Sequence, residues 1–133
     1  MPGRAARRGA IRAPAVTHLA IPVRDLRRSI RFYRGFLGME VTWRDSEMVN
    51  FRAGPGTSGF DLTVAKDRRA DGRGTPIHFG WRLRSAREVG RWEGRLRAAG
   101  VRIEGRRVEE EGGLGIYVRD PDGYELEFFA EGR

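Results

Sequence analysis

His18 and His78, the only two histidines in the chain, and the carboxylate of Glu127 are the side chains whose types could do chemistry together. Two neutral imidazoles and one carboxylate make a set that holds a divalent metal on one side and leaves other coordination positions open. Such a metal polarises an oxygen, binds a chelating substrate or activates dioxygen. Taken singly, each histidine reads as well as a hydrogen-bonded sheet residue, and Glu127 as a solvated carboxylate. The elements that must position them decide in favour of the joint reading.

Residues 16–23 alternate as a strand does, and Asp25 then offers a helix N-cap. Leu26, Ile30, Tyr33 and Leu37 follow at helical spacing, closed by Gly38. Strands are predicted at 40–44, 48–53 and 60–65, with turns at 44–47 and 54–59, and residues 66–75 read as a linker. The plan then repeats. A strand over 77–83 leads to the capping box Ser85-Ala86-Arg87-Glu88 and a helix striped by Val89, Trp92, Leu96 and Ala99, ending at Gly100. Strands near 101–109, 114–119 and 124–130 complete it, the last two joined by the turn Asp120-Pro121-Asp122-Gly123.

The fold class is therefore α+β, a tandem duplication of a βαβββ module. Thr17-His18-Leu19-Ala20-Ile21 lies over Ile77-His78-Phe79-Gly80-Trp81, histidine on histidine. Ser58-Gly59-Phe60-Asp61-Leu62-Thr63-Val64 lies over Asp122-Gly123-Tyr124-Glu125-Leu126-Glu127-Phe128, which sets Thr63 at the position of Glu127. Residues 1–14 read as a disordered basic tail and 15–131 as one domain, with modules of about 15–66 and 76–131. Alternation puts Leu19, Ile21, Val23, Phe79 and Trp81 under the helices. His18, Thr63, His78, Tyr117, Glu125 and Glu127 then share the opposite faces, and two sheets curled face to face would bring the metal trio together.

Composition narrows the class. With 133 residues, 39% hydrophobic and 33% charged, the chain is neither disordered nor membrane-spanning in type. It has no cysteine, which excludes disulfides and thiol nucleophiles, and the amino terminus lacks the apolar stretch of a secretory signal, so a cytoplasmic location is expected. The net charge of +8 does not argue for nucleic acid. All but Lys66 of the 26 Lys and Arg are arginine, spread along the whole chain, as coding bias in a GC-rich genome produces. The expected partner is a small-molecule substrate, with no nucleic acid or membrane.

The sequence resembles the vicinal oxygen chelate superfamily of glyoxalase I, methylmalonyl-CoA epimerase, extradiol dioxygenases, fosfomycin-resistance transferases and bleomycin-binding proteins. The resemblance covers about residues 15–131. It rests on His18, the helix Arg31-Phe32-Tyr33-Arg34-Gly35-Phe36-Leu37-Gly38, His78, and Tyr117-Val118-Arg119-Asp120-Pro121-Asp122-Gly123-Tyr124-Glu125-Leu126-Glu127. It implies an open half-barrel of paired βαβββ modules, metal ligands at His18, His78 and Glu127, and a homodimer. Glyoxalase I and the epimerases place a Glu or Gln where this chain has Thr63, a poor ligand and no base, so removal of a proton α to a carbonyl is disfavoured.

The favoured activity is extradiol-type oxygenation of a small aromatic diol, with Fe(II) preferred and Mn(II) or another divalent ion as the alternative. By resemblance Tyr117 is the catalytic tyrosine, ten residues before the Glu ligand. Trp43, Phe51 and Phe129 would wall an aromatic pocket, or else belong to the core, and Arg82 would pair with a substrate carboxylate. The alternatives are a lyase or transferase of the glyoxalase/fosfomycin type, and a drug-binding protein without catalysis.

Overall fold

A computed structural model describes residues 14–53 and 60–132. The amino-terminal tail and the 54–59 turn lie outside the described residues. Strands β1 (His18–Val23), β2 (Glu40–Arg44), β3 (Met48–Arg52) and β4 (Asp61–Lys66) form one sheet in the order β1-β4-β3-β2. Strands β5 (His78–Arg82), β6 (Gly105–Val108), β7 (Leu114–Arg119) and β8 (Glu125–Ala130) form a second in the order β5-β8-β7-β6. In each, the first and last strands pair in parallel and the rest antiparallel, so the duplication extends to topology.

Helix α1 (Leu26–Ile30) starts where Asp25 accepts the Arg28 amide at 3.0 Å, a bond that also holds the Asp25 carboxyl below its usual range. The chain then continues differently from the regular helix expected: Arg31–Phe36 is a π-helical turn. Phe32 and Tyr33 enter the core from this turn. Helix α2 (Ala86–Ala98) begins at Ser85, which accepts the Glu88 amide; Glu88 answers by accepting the Arg84 amide at 2.8 Å. The strand expected over 101–109 is confined to Gly105–Val108, because Val101 is tied back to the Leu96 carbonyl at the helix end.

One core runs through both halves, its largest buried side chains being Tyr33, Tyr124, Phe51 and Phe128. The halves are joined on the helix side. The Tyr33 hydroxyl donates to Asp120 Oδ2 at 2.6 Å, the Tyr124 hydroxyl to the Pro22 carbonyl at 2.8 Å, and Trp81 Nε1 to the Ala53 carbonyl at 2.8 Å. Asp122 Oδ1 accepts the Arg24 amide and an Arg28 guanidinium N–H. The predicted Asp120–Gly123 turn is thus also the joint between the modules.

Candidate metal centre

Joining the halves by their helix-side faces leaves the opposite faces free. On the second sheet that face is ordered in cross-strand rows. His78 stands opposite Glu125, and one row along Gly80, Glu127, Tyr117 and Gly105 stand side by side across all four strands. His78 and Glu127 are therefore diagonal neighbours on adjacent strands. Gly80 puts no side chain opposite Glu127, and none fits: a Cβ there would lie 2.5 Å from the Glu127 carbonyl oxygen and 3.1 Å from its Cβ.

Glu127 is held at one oxygen. The Tyr117 hydroxyl donates to Oε1 at 3.3 Å, and Arg107 Nη2 pairs with the same oxygen at 2.9 Å. Burial, followed by the charge of Glu127, raises the Tyr117 phenol above its ordinary value, partly offset by Arg107, so the phenol stays protonated and donates. The hydrogen bonds of both imidazoles run through Nδ1: His78 to the Pro76 carbonyl at 3.4 Å, and His18 to the Thr17 hydroxyl at 3.0 Å. Among the described residues Nε2 of each ring has no protein partner. A ligand histidine needs that arrangement, one nitrogen tied to the protein and the other left with its lone pair. In donor chemistry, two imidazole nitrogens and a carboxylate held through Oε1, the residues fit a divalent metal.

His18 stands on the first sheet, apart from the other two. Among the described residues no three His, Cys, Asp or Glu side chains gather closely enough to hold a metal ion. The face-to-face closure expected within one chain is not what packs these modules; their helix-side faces do that. The face around His18 is open, with His18 and Ala20 exposed. Ala20 pairs with Thr63, whose hydroxyl donates to Asn50 Oδ1 at 2.7 Å; the Asn50 amide donates in turn to Thr42 Oγ1 at 2.7 Å. Three strands thus carry a continuous hydroxyl–amide chain with no carboxylate in it.

The aromatic positions divide. Phe51 does not line this face. It is fully buried against Tyr33, ring centroids 5.5 Å apart, because Val49 and Phe51 are the helix-side positions of β3. Asn50, between them, takes the open face, and the alternation Val49-Asn50-Phe51 was the signal for it. Trp43 is on the open face and 52% exposed. A bulge between Val41 and Trp43 gives the indole Asn50 as its cross-strand partner, while Val41 stays opposite Phe51. Phe129 shares the Glu127 face, and the exposed Arg82 lies over its ring at 5.8 Å while pairing with Glu131 at 3.0 Å. Arg107, which reaches Glu127 from β6, carried no motif and was not anticipated.

Residues 15–128 match the profile of the Glyoxalase/Bleomycin resistance protein/Dioxygenase superfamily. The chain is 27% identical over 114 residues to a manganese-dependent 2,3-dihydroxybiphenyl 1,2-dioxygenase of Geobacillus genomosp. 3, the match covering 84% of this chain and 35% of that one. It thus spans about a third of that relative's length. It is 33% identical over 124 residues to an uncharacterized protein of Pseudomonas aeruginosa, covering 87% and 88% of the two. Lactoylglutathione lyase from Agrobacterium tumefaciens has the same fold, with a TM-score of 0.74 at 24% identity over 89% of this chain and 94% of that one. So does the fosfomycin resistance protein FosX from Listeria monocytogenes, with a TM-score of 0.76 at 23% identity over 90% and 95%. Profile, topology and these likenesses agree, and the chain belongs to the Glyoxalase/Bleomycin resistance protein/Dioxygenase superfamily.

Proposed function

We propose that the protein is a divalent-metal-dependent dioxygenase of extradiol type acting on a small aromatic diol, with His18, His78 and Glu127 as metal ligands and Fe(II) or Mn(II) as the ion. The observation that carries the reading is the row that sets the protonated Tyr117 phenol against Glu127, with His78 diagonal to it and a glycine opposite. His18 belongs to the other sheet and its face is exposed, so the third ligand comes from a second copy of the chain, and the working unit is a homodimer with two equivalent sites. A manganese-dependent dioxygenase among the relatives supports the choice of chemistry.

When bound, the metal supplies Lewis acidity toward two adjacent substrate oxygens and a redox partner for dioxygen. The chain does the rest. Tyr117 turns its proton from Glu127 toward a substrate oxygen, Arg107 holds Glu127 at Oε1, and Phe129 and Trp43 wall the aromatic ring. Thr63 hydrogen-bonds rather than moving a proton, which disfavours the lyase alternative.

Elemental analysis of protein purified anaerobically tests this first, followed by oxygen uptake with catechol. The expected result is one Fe or Mn per chain, lost in Glu127→Ala, and oxygen consumed with ring cleavage. Turnover without oxygen consumption would transfer the reading to a lyase or transferase. A chain that takes up no metal after anaerobic reconstitution would be a binding protein.

A further inference from the structure

A second row of side chains lies beside the Glu127 row on the same face. Arg82, Phe129, Gly115 and Arg107 stand side by side across β5, β8, β7 and β6. A guanidinium therefore occupies each end of the row, with an aromatic ring and a bare glycine between them. The groups converge at the glycine: a Cβ on Gly115 would lie 3.1 Å from Glu127 Oε1, 3.6 Å from Phe129 Cβ and 3.8 Å from Arg107 Nε.

Neither arginine uses all its donors on the partners it has. Arg107 is half-exposed and pairs through Nη2 alone, with Glu127 at 2.9 Å and Glu109 at 3.5 Å. Arg82 pairs with Glu131, both mostly exposed. The Arg82–Glu131 pair, open to solvent at both ends, is weak and exchanges readily. A planar guanidinium has five N–H donors in a fork that matches a carboxylate. Because Nη2 alone makes both pairs, the Nε and Nη1 donors of Arg107 remain for an anion lying over Phe129.

We propose that this row is a subsite for the carboxylate of the substrate, making the preferred substrate an aromatic diol with an acidic substituent, its ring on Phe129 and its carboxylate on Arg107, with Arg82 in support. The inference rests on the diol reading given above for where the ring lies, but its charge preference is measured separately.

The test uses Mn(II)-loaded protein under anaerobic conditions and calorimetric titration with two probe pairs. The first is 3,4-dihydroxyphenylacetate against 4-ethylcatechol; the second is 4-hydroxyphenylacetate against 4-ethylphenol, which lacks the second oxygen. The acidic member of the first pair is expected to bind about tenfold tighter. Arg107→Gln should abolish that preference, read as the ratio of the two affinities on protein holding the same amount of Mn(II), whatever it does to either affinity alone. Arg107→Lys should keep part of it, and Arg91→Gln, which removes the same charge from the exposed side of α2, should keep all of it. If neither diol binds but the second pair shows the same Arg107-dependent preference, the subsite stands and the diol reading falls. If 4-ethylcatechol and 3,4-dihydroxyphenylacetate bind equally, the diol reading stands and the subsite is wrong. Equal effects of Arg91→Gln and Arg107→Gln, or no binding by any probe, would also overturn the subsite.

Discussion

The Tyr33 hydroxyl, on the helical segment of the first module, donates at 2.6 Å to Asp120 of the turn that ends the second module's β7. Both groups are buried, and Asp120 also accepts the amides of Asp122 and Tyr124 at 3.0 and 2.9 Å. One bond thus couples the two halves through the Asp-Pro-Asp-Gly turn.

Tyr33→Phe is expected to cost about 2 kcal/mol, because it leaves a buried carboxylate oxygen short of a donor. Urea unfolding checks it; a loss below measurement error would mean that this bond adds nothing to the joint between the halves. Burial holds the Asp120 carboxyl above its ordinary 3.8, although the Tyr33 and Tyr124 bonds pull it down. The folded state therefore binds that proton more tightly than the unfolded chain does. Its contribution to stability is complete below 3.8 and is lost as pH rises through the folded-state value. Asp120→Asn cannot ionise and escapes this loss, so its stability relative to the parent should improve as pH rises from below 3.8 toward neutrality.

Sharing of the metal site between copies is open to complementation. His18→Ala and Glu127→Ala homodimers should each lack bound metal. Refolded together from an equal mixture, they should yield mixed dimers holding one metal ion, since His18 of one chain then meets an intact His78 and Glu127. Elemental analysis of the isolated mixed dimer decides it: no recovered metal would place the whole site within one chain.

Tyr117 is expected to act through its proton. Tyr117→Phe should retain the metal and lose about a hundredfold in kcat. Its phenol titrates above the ordinary 10.0, so the parent should show no alkaline activation below that pH. Activation between neutrality and pH 9 that disappears in Tyr117→Phe would reassign the residue as a base.

Phe51 and Phe129 differ in what they support. Phe51→Ala removes a fully buried ring and should cost about 3–5 kcal/mol of stability. Phe129→Ala, at a half-buried position on the open face, should cost roughly 1 kcal/mol and chiefly weaken aromatic ligands. Paired denaturation and ligand titrations separate the two; similar stability losses would show that Phe129 is core as well.

The duplication was legible because it is written twice: alternation, N-cap, stripe and closing glycine each recur, and His18 falls on His78. Legible too was the helix-side core, since Ile21, Val23, Leu62, Val64, Leu126 and Phe128 alternate cleanly. The π-helical turn was not, because the apolar positions of Arg31–Phe36 satisfy an ordinary helical stripe equally well. Phe51 was assigned by residue type, whereas its parity with Val49 decides its face. Arg107 could not be singled out among so many arginines. Its role exists only because β6 sets it opposite Gly115. How the halves meet was also hidden, since alternation sorts faces within a sheet and says nothing of which faces adjoin.

The bulge in β2 has a consequence beyond local twist. Without Thr42, the next residue after Val41 would be Trp43 in the open-face position; with strict pairing of all residues, Thr42 would take that position and Trp43 would turn toward the core. The indole's environment is therefore set by chain length in an edge strand rather than by any side chain in the groove. Regular pairing that absorbed Thr42 into the ladder would redraw one wall of the pocket while leaving every ligand, and the whole second module, as it was.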